Sequence, residues 1–156
     1  MLVVPFVLQA QIKEVKLQAS GLTCSMCSNS IHKALEKLSF IKSVDSDVET
    51  SVFTIDFQDK ATVDIQAIQR AVKKAGFSVS DFVMTIKFKD YPAKNKGKFD
   101  IANEKFYLVD IENQTLNGLV ELRLLNKDFM SKKAYKKVKK KVINEEQEKG
   151  YSVTPV

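Results

Sequence analysis

From Gln11 onward apolar and polar residues alternate, which puts Val15, Leu17 and Ala19 on one face of a half-buried strand. A loop, GLTCSMCS, interrupts the alternation. The next stretch, NSIHKALEKLSF, sets Ile31, Ala34, Leu35 and Leu38 at helical spacing. Period two then returns twice. IKSVDSDVE reads as a strand, and SVFTIDF brings Phe53, Ile55 and Phe57 to one side, with a polar turn at 49–51 between them. VDIQAIQRAVKKAGF is an amphipathic helix with Ile65, Ile68, Val72 and Ala75 inward and Gly76 as its stop. FSVSDFVMTIKF returns to strand character.

The order strand, helix, strand, strand, helix, strand predicts a ferredoxin-like βαββαβ domain over 11–88, an α+β fold with two helices on one face of an antiparallel sheet. About 70 residues suffice to close such a core. The segment 89–98, KDYPAKNKGK, has four lysines with Pro92 and Gly97 and reads as a linker. Beyond it, 99–156 predicts a small C-terminal α+β domain. Two or three short strands with a turn at Asn117-Gly118 precede a lysine-rich helix that stops at Gly150.

Composition adds limits. With 44% hydrophobic and 28% charged residues the chain is ordinary globular material. The net charge of +6 sits mostly in the second half, which supports two units. The opening MLVVPFVLQA is uncharged and almost wholly apolar. It falls well short of the ~20 apolar residues that a membrane helix needs. Residues 1–10 read instead as a truncated secretory signal lacking its basic start, cut after Ala10, which places the protein in the periplasm or outside the cell. The alternative is a buried N-terminal strand in a cytoplasmic protein.

The only two cysteines, Cys24 and Cys27, lie in one C-x-x-C motif, so they cannot be a disulfide framework. They could ligate a metal, exchange electrons as a dithiol, or close a local disulfide. At the start of a helix, free backbone N–H groups and the dipole favour thiolates, the form that binds soft metals.

Residues 13–84 resemble the heavy-metal-associated domain of copper chaperones, copper-transporting ATPases and periplasmic mercury-binding proteins. The family's G-M-T-C-x-x-C motif stands here as Gly21-Leu22-Thr23-Cys24-Ser25-Met26-Cys27, and its AGF before the last strand as Ala75-Gly76-Phe77. Leu22 replaces the usual Met at similar volume. The resemblance implies a two-thiolate site in which Cys24 and Cys27 are the metal ligands and Phe77 lies nearby. Cu(I), content with two sulfurs, comes first; Hg(II) shares that preference. Zinc wants four ligands and finds no third or fourth. Thr23, where related zinc-transporting domains carry an acid, also favours copper.

Several other groups stay outside the site. His32 lies on another helical face from Cys27, and Met26 reads as a bystander. A thioredoxin-like dithiol would need a nearby cis-Pro, and none of Pro5, Pro92 or Pro155 is placed for it. The lysine run from Lys127 to Lys141 reads as a solvated face balanced by Glu145, Glu146 and Glu148, with no nucleic-acid motif beside it. No constellation for catalysis can be assembled, so no enzyme is expected. The expected function is capture of Cu(I) and its transfer to a transporter or acceptor protein. The alternatives are a periplasmic dithiol/disulfide protein, an Hg(II)-binding protein, and an interaction module whose C-terminal part docks a transporter.

Overall fold

The structure of the chain, a computed structural model, describes residues 10–143 and 149–156. The expected signal segment therefore lies, but for Ala10, outside the described residues. Strand β1 (Gln11–Ser20) is followed by α1 (Ser25–Glu36), β2 (Ile41–Asp47), β3 (Val52–Phe57), α2 (Ile65–Lys74) and β4 (Ser78–Ala93). These six elements form the ferredoxin-like arrangement. β1 pairs antiparallel with β3 on one side and β4 on the other, and β2 pairs with β3.

The alternation of β1 does what its pattern requires. Val15, Leu17 and Ala19 are buried, while Lys16 and Gln18 between them face solvent. On the buried face α1 contributes Ile31 and Leu35, and α2 contributes Ile65, Ile68, Ala71 and Val72. Ala34, Leu38 and Ala75, expected inward, are only partly buried at its rim. Asp64 caps α2 by accepting from the Ala67 amide at 2.9 Å. Gly76, at φ +95°, ends it, with the Phe77 amide reaching back to the Val72 carbonyl. That ending delivers Phe77 to the loop between β1 and α1.

The expected linker over 89–98 is corrected by the structure. β4 runs on through Ala93, and β5 (Lys98–Ile101) begins after a tight turn. A bulge between Phe88 and Tyr91, with Asp90 at φ +47°, absorbs the polar residues that read as a break. The outer edge of β4 pairs with β7 (Gln114–Leu124), and β6 (Glu104–Leu108) and β8 (Tyr151–Pro155) complete one eight-stranded sheet in the order β2-β3-β1-β4-β7-β8-β6-β5. β8 was not foreseen. It lies between β7 and β6, parallel to the latter. The expected lysine-rich helix is short, α3 (Lys132–Val138), after a 3-10 turn at Lys127–Phe129.

One apolar core runs under the whole sheet, from Ile12 to Val153. A chain of aromatic rings threads its second half: Phe82 meets Phe129, Phe129 meets Tyr151, Tyr151 stacks on Phe106, and Phe106 on Phe99, at centroid distances of 5.2–5.8 Å.

Candidate metal centre

At the end of β1 the Ser20 hydroxyl meets the Ser78 hydroxyl at 2.7 Å, which clasps β1 to the start of β4. Gly21, at φ +87°, then turns the chain outward beside the Phe77 ring. Leu22 packs on the core, where the family's Met stands, and Thr23, Cys24, Ser25 and Met26 are exposed. The loop is thus anchored at Gly21-Leu22 and open beyond.

Cys24 occupies the N-cap of α1 in extended conformation, and its side chain makes no capping hydrogen bond. Its carbonyl instead accepts from the Cys27 amide at 3.1 Å and the Ser28 amide at 3.4 Å. Three residues along the helix, Cys27 brings its Sγ to 3.1 Å from the Sγ of Cys24. A disulfide would be about 2.05 Å. Both cysteines are free thiols, Cys24 exposed and Cys27 half-buried.

Hydrogen bonds hold the Cys27 thiol below the ordinary thiol range. The largest is from the Cys24 side chain, followed by the Thr23 backbone; burial opposes them, and the Thr23 side chain and the Cys24 backbone add to the lowering. Thr23 is the residue that motif reading undervalued. Its hydroxyl could have been flagged, since a donor just before the first cysteine is placed to face the second sulfur. No acidic side chain stands in the first turn of α1, so nothing there opposes thiolate formation.

Two thiolates this close can clasp one soft cation. With metal–sulfur bonds of about 2.3 Å, as for zinc, a straight S–metal–S bridge spans about 4.6 Å. The sulfurs would part by roughly 1.5 Å, which exposed Cys24 can supply without disturbing the core. Among the described residues no group of three or more His, Cys, Asp and Glu could hold a metal.

The neighbours weighed in the sequence are placed elsewhere. His32 has both ring nitrogens engaged, Nδ1 with Ser46 Oγ at 2.7 Å and Nε2 with Glu36 Oε1 at 3.1 Å. Met26 is 78% exposed, its thioether in solvent. Ser28, directly after Cys27, buries a hydroxyl that has no hydrogen-bond partner among the described residues.

The model of the heavy-metal-associated domain matches residues 16–78. The periplasmic component of the mercuric transport protein of Pseudomonas fluorescens is 32% identical over 71 residues, which is 46% of this chain and 77% of that protein. Among solved structures, oxidised MerP from Ralstonia metallidurans CH34 is 32% identical and covers 46% of this chain and 96% of its own, with a TM-score of 0.40. The yeast copper transporter domain Ccc2a, solved in apo and Cu(I)-bound states, is 27% identical over 43% of this chain and 90% of its own, with a TM-score of 0.38.

Proposed function

Because this chain belongs to the heavy-metal-associated domain family, we propose that it captures a soft metal ion, Cu(I) first, between Cys24 and Cys27 and hands it to an acceptor protein. The observation that carries the reading is the pair of free sulfurs 3.1 Å apart on an exposed loop at a helix N-terminus. Uptake releases the thiol protons, so the lowered Cys27 thiol lets metal compete at neutral pH. Transfer is ligand exchange. A thiolate of the acceptor adds to the metal, one of the two cysteine sulfurs leaves, and the second exchange completes delivery without freeing the ion. In this reading the protein is a carrier and not an enzyme.

Hg(II) is the second reading. Its support is that the relatives sharing about a third of these residues are mercuric transport components. Their periplasmic description also supports a periplasmic location for this chain, by analogy. No helix of the described residues is long and apolar enough to cross a membrane.

The test is anaerobic competition on the reduced protein, with Cu(I), Hg(II) and Zn(II) each titrated against a chromophoric chelator. One thiophilic ion per chain, with Zn(II) far weaker, is the expected result. Replacing both cysteines (Cys24→Ser with Cys27→Ser) should abolish tight binding and leave the circular dichroism unchanged, because the loop is exposed. Tight binding that survives in the double variant overturns the site. A reduced pair that attacks protein disulfides faster than it takes up metal overturns the carrier reading in favour of the dithiol one.

A further inference from the structure

The lysines of α3 and the turn after it are exposed at positions 132, 133, 136, 137, 139, 140 and 141. Of these, only Lys141 has an ion-pair partner among the described residues, Asp110 at 2.6 Å. Glu145, Glu146 and Glu148, the residues expected to balance this charge, lie outside the described residues. Lys132 and Lys136, and Lys133 and Lys137, are like charges four residues apart within α3, a spacing that destabilises a helix. A short helix that carries such repulsion gains from a counter-charge supplied from outside.

The shape beside α3 says where that charge would sit. Between the helix and the outer face of β1, β4 and β7 lies a groove of ≈ 520 Å³. Gln18, Asp81, Arg123 and Thr154 form one wall, and Lys133 and Lys137 the other. Arg123 is held by Asp81 through two contacts at 2.8 and 3.3 Å, so those charges offset one another. The net charge of the groove belongs to the two lysines.

Lipid is a poor fit. The apolar side of α3, Ala134, Tyr135 and Val138, is already used against Val109, Leu125 and Met130. Among the described residues the exposed large apolar ones are Met26, Val48, Leu119 and Val156, none of them on α3, so the helix has nothing to insert into a bilayer. Position adds a functional link. The Ser131 amide donates to the Ser80 carbonyl, and the Ser80 hydroxyl donates to the Gln18 carbonyl, two residues from the end of β1 where the cysteine loop starts.

We propose that the groove between α3 and the outer sheet face, flanked by Lys133 and Lys137, docks an acidic segment of a partner protein at the base of the metal-binding loop. The proposal rests on charge and shape and holds whichever metal the thiols carry. Its use would be to raise the encounter rate and orient an acceptor beside Cys24.

The test uses the full chain and a fluorescently labelled poly-L-glutamate peptide, followed by anisotropy at low and at physiological salt. Lys133→Glu with Lys137→Glu should weaken binding about tenfold, while the control pair Lys42→Glu with Lys60→Glu, equal in charge change, should weaken it less than about twofold. Both variants should keep the native circular dichroism and metal stoichiometry, which separates failure of docking from failure of the metal site. Equal losses in the two variants, or no peptide binding even at low salt, would overturn the proposal. So would lysine-dependent binding to vesicles containing phosphatidylglycerol with none to the peptide, which would assign the patch to membrane lipid.

Discussion

Gly21 carries more of the metal site than its size suggests. At φ +87° it bends the chain from β1 into the loop, and a methyl group there would lie 3.8 Å from Phe77 Cδ1, an ordinary contact. The difficulty of substitution is thus in the backbone and not in crowding, and left-handed geometry costs a non-glycine residue about 1–3 kcal/mol. Gly21→Ala should lower the melting temperature by several degrees, since about 1 kcal/mol corresponds to roughly 2–4 °C in a chain of this length. It should also weaken metal binding, because relaxation at residue 21 shifts the N-cap residue that presents the first sulfur. Thermal denaturation and chelator competition on one preparation check both. An unchanged melting point would mean that the turn tolerates a side chain.

At the scale of elements, β4 decides how the two parts of the chain relate. It is 16 residues long. Its first half pairs with β1 and its far edge with β7, and Val83 to Lys87 pair with both. A fragment ending at Ala93 keeps both helices and the cysteine loop, but bares the β7-facing edge of β4 together with Phe82 and Phe88. Exposed edges of this kind invite pairing with another chain. The fragment should therefore retain metal binding yet melt lower and self-associate, as sedimentation would report; a monomer as stable as the full chain would show that β7 adds nothing. This strand also shows where sequence reading ends. The βαββαβ part was legible because each element carries its own period and stop, such as Val15, Leu17 and Ala19 alternating, or Gly76 after α2. The run from Lys89 to Lys98 misled because a bulge at Asp90 followed by Pro92 looks locally like a linker, and only pairing with β7 makes its first part, as far as Ala93, a strand. β8 is likewise held by long-range partners on both sides. The two cysteines were legible because C-x-x-C is local, whereas the Ser20–Ser78 clasp spans 58 residues.

For the molecule as a whole, Tyr151 joins what the sequence divided. Its ring packs between Phe106 and Phe129, and its hydroxyl reaches the Gln66 side chain on α2, so the last strand is tied to the helix that presents Phe77. Burial, first of all, pushes its phenol up to about 12 from the usual 10.0, and the carboxylates of Glu104 and Asp64 add to the rise. The folded protein therefore keeps this proton after the unfolded chain has lost it. Stability from the buried phenol is complete below pH 10 and falls as pH rises through about 12. Because one core runs from Ile12 to Val153, the loss should appear as one cooperative unfolding of both parts, followed equally by far-UV and near-UV circular dichroism. Tyr151→Phe should flatten the alkaline slope while leaving some of it, since burial raises Tyr91 as well. If the cysteine-bearing part instead stays folded while the β5–β8 part melts separately, the aromatic chain does not couple them and the two parts are thermodynamically independent.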